Sequence, residues 1–129
     1  MDKRLKSSVL WLAIALVVVF GFSWLAHGFN TSFGKVAVER IYFDTEKGTL
    51  SGLLYLPEGA GADSPRPGVV LTHGYLNSGE MQDLNAIELS RRGHAVLALD
   101  MYDHGHSSLN ADQTGNFFAF WPTAIYDAV

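Results

Sequence analysis

The sequence predicts an α/β fold behind one membrane-spanning helix, and three observations carry the prediction. Between Lys6 and Lys35 the chain has no Asp, Glu, Lys or Arg. After residue 35 it alternates between short runs rich in β-branched residues and a single stretch of helical period. Two of those runs, at 68–72 and 95–99, flank the helical stretch in the order strand, helix, strand that makes a right-handed parallel crossover.

The chain is 129 residues and 14.1 kDa, with 48% hydrophobic and 17% charged residues, enough for one modest domain. Its lack of cysteine excludes a disulfide scaffold, a thiolate metal site and a cysteine nucleophile. Nine Lys+Arg stand against thirteen Asp+Glu, and three of the nine lie within the first six residues. That leaves no basic face for nucleic acid.

Residues 1–8 form a basic N-terminus. Val9 to Ala26 (VLWLAIALVVVFGFSWLA) has Ser23 as its one polar side chain, and at ~1.5 Å per residue it reaches ~27 Å, close to the hydrocarbon thickness of a bilayer. Residues 9–26 are therefore expected to be a transmembrane helix acting as a signal anchor. Lys3, Arg4 and Lys6 precede it and place the N-terminus in the cytoplasm, with the rest of the chain outside. A cleaved signal peptide is the rival reading, because Ala26-His27-Gly28 offers small residues to a peptidase. Both readings export residues 27–129, and the anchor reading makes the lipid bilayer a partner.

Residues 27–35 read as a spacer, since Asn30, Thr31, Ser32 and Gly34 favour turns. Val36 to Phe43 and Thr49 to Leu56 read as antiparallel strands around a hairpin loop, 44–48. In the first strand Val36 and Val38 share one face while Ile41 and Phe43 take the other, so a bulge or half-regular pairing is expected. Pro57 to Pro67 is a surface loop by composition. The run 68–72 suits a strand covered on both faces. Asn77 or Ser78 is placed to cap the next helix, with Glu80 at the capping-box position and Met81, Leu84 and Ile87 as its apolar stripe. Gly93 stops the helix, and 95–99 forms the second buried strand, ending at Asp100.

Chemistry in open parallel sheets gathers at the carboxyl ends of the strands. Two loops leave those ends here, His73-Gly74-Tyr75 and Asp100 to Ser108. The segments Pro67 to Tyr75, Glu88 to Val96 and Asp100-Met101-Tyr102-Asp103-His104-Gly105-His106-Ser107 together resemble the N-terminal half of an α/β-hydrolase, in the serine esterase, lipase and acyl-peptidase-like branch. The resemblance spans residues 36–129 and implies a partial α/β-hydrolase fold, three-layered when complete.

It also implies roles. The residue after the His-Gly pair, Tyr75, would offer its backbone N–H to an oxyanion hole, with His73 and Gly74 shaping that loop. Asp100, His104, Gly105 and Ser107 match the family's Asp-x-x-Gly-His-Gly-x-Ser loop as structural residues. Asp103 stands where the family has glycine, and Asp tolerates the left-handed backbone such a turn needs. The Gly-x-Ser-x-Gly turn that holds the family's nucleophile does not occur in these 129 residues. The expectation is an N-terminal fragment of a longer hydrolase, with nucleophile, acid and base outside this chain.

Competing readings stand beside these. Asp103 to His106 could ligate zinc, although the run lacks His-x-x-x-His spacing; no metal and no cofactor are expected. Ser78 fits a cap better than a nucleophile. Leu76 and Phe117 to Trp121 suit an apolar acyl pocket, core packing or a lid. The expected activity is hydrolysis of a small-molecule ester, thioester or amide through an acyl-enzyme. The alternative is a non-catalytic membrane-anchored fragment or binding module.

Overall fold

The computed structural model describes residues 2–108 and 121–129. Helix α1 runs Lys3–Asn30, and strands β1 Val36–Thr45, β2 Gly48–Pro57 and β3 Gly68–Thr72 come next. Then come a 3-10 turn Gly79–Gln82, helix α2 Asp83–Arg91, strand β4 Ala95–Asp100 and a short helix α3 Thr123–Asp127. The sheet order is β1-β2-β4-β3. Strand β1 pairs antiparallel with β2, β2 antiparallel with β4, and β3 parallel with β4. This is the α/β class expected, with a hairpin feeding a parallel β-α-β unit.

Helix α1 is 28 residues, ~42 Å at 1.5 Å per residue, so it exceeds the 9–26 segment at both ends. Its apolar span packs against none of the described residues, and it is long and apolar enough to cross a membrane. Residues 27–30 continue it rather than forming spacer, because extending a helix already propagating costs far less than starting one. Three successive left-handed residues, Ser32, Phe33 and Gly34, end it. Arg91 from α2 donates to the Phe29 carbonyl (3.3 Å), which also accepts from the Ser32 N–H, and to Ser32 Oγ (2.9 Å).

The hairpin corrects the sequence reading twice. Pairing is unbroken from Val36↔Pro57 to Thr45↔Gly48, so there is no bulge, and Glu46-Lys47 alone makes the turn. No bulge is needed because β1 is apolar on both faces. Val36 packs with Tyr55, Val96, Ala86 and Ile87 under α2. Phe43 packs on the other face with Leu50, Leu99, Met101, Tyr102 and Ala124 of α3. A strand between two layers can change which parity is apolar without changing its pairing.

Helix α2 corrects it as well. Ala86, Ile87 and Ser90 form its buried face, whereas Met81 and Leu84 are exposed. Residues 79–82 wind as a 3-10 turn rather than as α-helix, which rotates Met81 off the expected stripe. Tyr55 Oη donates to Asp83 Oδ1 at 2.5 Å, tying β2 to the first turn of α2. Burial and that carboxylate both push the Tyr55 phenol upward.

Candidate functional site

Parallel pairing of β3 and β4 brings the residues after Thr72 and after Asp100 to the same end of the sheet. His73 and His104 join the two loops, their rings 4.9 Å apart. His73 Nε2 accepts from the Met101 N–H at 3.1 Å, which assigns the proton to Nδ1, and Nδ1 donates to the Gly74 carbonyl at 2.8 Å. His104 works the same way in reverse: Nε2 accepts from the Leu76 N–H at 3.4 Å and Nδ1 donates to the Tyr102 carbonyl at 2.8 Å. Each ring is buried, and each has both nitrogens committed to backbone.

These bonds orient one peptide. The Gly74 carbonyl is turned back toward His73 and also accepts from the Asn77 N–H at 3.3 Å. Peptide bonds among the described residues are trans, and in a trans peptide N–H and C=O point in opposite directions. The Tyr75 N–H is therefore directed away from the His73 ring. Leu76, next in the chain, has φ +59°, a left-handed backbone that costs a leucine about 1–2 kcal/mol. Trp121 stacks on Tyr75 (centroids 5.1 Å, 22°) and meets His104 edge-on at 4.9 Å. Its indole N–H donates to Asp103 Oδ2 at 3.3 Å. Asp103 itself takes φ +64°. The apolar run Phe117 to Phe120 lies outside the described residues.

Asp100 is the hub beneath these loops and is wholly buried. Its Oδ1 accepts from the Gly79 N–H at 2.6 Å, and its Oδ2 accepts from the His106 N–H at 3.0 Å and from Arg40 Nη1 at 3.0 Å. Arg40 also donates to Ser51 Oγ at 3.1 Å and pairs with Glu80. Two glycines make room. A Cβ on Gly79 would lie 2.6 Å from the Ala98 carbonyl oxygen, and one on Gly105, at φ +53°, would lie 2.4 Å from the Asp100 carboxyl. Ser107 Oγ donates to the Asp100 carbonyl (2.6 Å) and accepts from the Ser51 N–H (2.9 Å), fastening the β4 loop to β2.

Glu80 thus serves a partner other than the expected capping box. The Ser78 hydroxyl beside it, and then Arg40, hold its carboxyl below the usual range against burial that would raise it. Asp127 of α3 is lowered by Lys47 at 2.7 Å and by the Tyr102 hydroxyl at 2.9 Å. A carboxylate whose folded pKa is depressed stabilises the fold above its unfolded value of about 4, and that stability is lost as pH falls through the folded value. The melting midpoint is expected to be flat from neutral pH to about 5 and to fall below about 4, and Glu80→Gln should flatten part of that acid limb. A midpoint independent of pH between 3 and 7 would contradict both assignments.

The network of Arg40, Ser51 and Glu80 was not foreseen from sequence. Its one signal was a lone Arg on the Val36-Val38 face of β1, opposite Leu53, where burial demands a partner. Among the described residues no group of three His, Asp or Glu side chains gathers to hold a metal ion. His106 Nδ1 lies 3.8 Å from Asp100 Oδ2, and the remaining imidazoles of these loops are tied to backbone.

No protein-family model and no curated protein sequence matches the chain. Solved structures do. A thioesterase domain from the curacin biosynthetic pathway superposes with a TM-score of 0.59 at 22% identity, over 71% of this chain and 30% of that one. The naproxen esterase (carboxylesterase NP) from Bacillus subtilis gives 0.53 at 23% identity, over 81% and 35%. A hypothetical protein from Pseudomonas aeruginosa gives 0.58 at 22%, over 73% and 29%. The fold is that of α/β-hydrolase-fold proteins. This chain spans about a third of the length of the structures it matches and corresponds to part of that fold.

Proposed function

We propose that this chain is the anchor and N-terminal portion of a membrane-bound serine hydrolase that cleaves an ester, thioester or amide through an acyl-enzyme. The observation that carries the reading is the Gly74-Tyr75 peptide at the carboxyl end of β3. Its carbonyl is locked back by His73, and its N–H faces the other way. Backbone donors fixed before the reaction stabilise an oxyanion without reorganising when charge develops, which is worth ~3–4 kcal/mol per donor.

In this reading the Tyr75 N–H is one of two oxyanion donors, and the second belongs to the residue after the nucleophile. The nucleophile, its histidine and its acid come from the part of the fold that these residues do not cover. His73 and His104 hold loops rather than move protons, because each has both nitrogens engaged by backbone. The thioesterase and esterase among the structures of similar fold favour an acyl substrate. Helix α1 anchors the domain, with Lys3, Arg4 and Lys6 on the cytoplasmic side and the sheet on the other.

A serine-directed fluorophosphonate applied to the native protein in its membrane fraction tests the reading. Covalent labelling is expected on a species heavier than 14.1 kDa, and it should vanish after heat denaturation. A folded, membrane-bound protein that takes no label would instead be a binding module.

A further inference from the structure

The amino-terminal pole of the parallel strands, opposite the two site loops, holds a cleft of about 260 Å³. It forms where the turn after α1, the end of β2, the approach to β3 and the last turn of α2 converge. Lys35, Arg66 and Arg91 line it together with Ser32, Ser90 and Glu58. The segment after residue 27 has twelve acids and six cations, yet here cations outnumber the single acid three to one.

Two of these cations have no ionic partner among the described residues. Lys35 and Arg66 form no ion pair among the described residues. Arg91 is held at the cleft by its bonds to Ser32 Oγ and the Phe29 carbonyl, and its guanidinium also lies 3.9 Å from Glu88 Oε2. Ser90 supplies an independent sign. It is 0% exposed, and its hydroxyl has no hydrogen-bond partner, although buried hydroxyls in folded proteins nearly always have one. Of the carbonyls ending α2, those of Leu89 and Ser90 already accept from the N–H groups of Arg92, Gly93 and His94.

We propose that this cleft binds a phosphate-type anion, with Lys35, Arg66 and Arg91 supplying charge beside the unpartnered Ser90 hydroxyl. The same chemistry fits the phosphodiester headgroup of an anionic lipid and free inorganic phosphate. The cleft borders the end of α1, so the lipid source rests on the proposal that α1 spans a bilayer; the anion site does not.

The full chain in detergent micelles is challenged with phosphatidylglycerol, phosphatidylcholine and inorganic phosphate, and bound species are read by native mass spectrometry and by thermal shift. Phosphatidylglycerol is expected to be retained over phosphatidylcholine. Lys35→Ala and Arg66→Ala should each weaken retention about fivefold, the weight of one juxtamembrane basic residue. Ser90→Ala should weaken it while leaving the ligand-free midpoint unchanged or higher, since it removes an unsatisfied buried group. Lipid retention that survives excess phosphate assigns the site to a headgroup. A phosphate-induced shift lost in these variants, without lipid preference, assigns it to the soluble anion. Equal behaviour of wild type and all three variants toward both probes would overturn the proposal. Fluorophosphonate labelling should be unaffected by these substitutions, which lie at the opposite pole, so the hydrolase reading stands or falls separately.

Discussion

Asp100→Ala is expected to lower stability by about 3–5 kcal/mol, the range for breaking a buried charge pair by deleting one partner. The loss is large because one carboxylate answers three donors from three places in the chain: Arg40 of β1, Gly79 at the head of the 3-10 turn, and His106 of the β4 loop. Without it, a half-buried guanidinium keeps only Ser51 and Glu80, and the Gly79 amide is stranded beside Ala98. Domains hold only about 5–15 kcal/mol in total, so the urea midpoint of the full chain in detergent should fall by about a fifth or more. Asp100→Asn fills the same volume but presents an NH2 group where one oxygen accepted, and should fall in between. Asp103→Asn is the control. Asn also tolerates φ +64°, and the change should cost well under about 1 kcal/mol. Equal midpoints for Asp100→Ala and wild type would remove Asp100 from the centre of this architecture.

The second large effect concerns the Tyr75 amide. Tyr75→Pro deletes the N–H and nothing else that the proposed chemistry needs, and it should slow fluorophosphonate labelling by about 10²–10³-fold, the weight of a single oxyanion donor. Tyr75→Ala keeps the N–H while losing the stacked ring against Trp121, and should stay within a few fold. The contrast is diagnostic because the two variants lose the same phenol. Comparable rates for both would assign any role of residue 75 to its side chain. Circular dichroism and the urea midpoint, matched between the two, exclude a collapsed loop as the cause.

Much of this was legible in the residues. The apolar runs at 68–72 and 95–99 became β3 and β4 because strands buried on both faces need little alternation, and the loops at their carboxyl ends came from the parallel crossover. Asp103 entered the left-handed region as its chemistry allows. What was not legible depended on which surfaces meet. Met81 and Leu84 fit a helical stripe, but a 3-10 start turned the helix so that Ala86, Ile87 and Ser90 face the sheet. Glu80 suited a capping box by spacing, yet its carboxyl also pairs with Arg40, forty residues earlier. Long-range pairing between charges carries no local period, so no reading of a window could reveal it. His73 and His104 were visible as loop histidines, but the direction of each ring bond depends on backbone donors in the other loop.

The sheet order also sets the sequence of assembly. The β1-β2 hairpin closes through a two-residue turn, an event of about 1–10 μs. The β3-α2-β4 unit is likewise nearly self-contained. Joining them requires β2 to lie beside β4, with Ser51 against Asp100 and Tyr55 against Val96, contacts about 40 to 50 residues apart whose closure entropy must be spent before any rung is gained. Arg40 can reach Asp100 only after that docking, since it arrives on the hairpin. The bonds that set the Tyr75 loop, by contrast, all run between residues 73 and 104, so that loop can take its shape before the hairpin arrives.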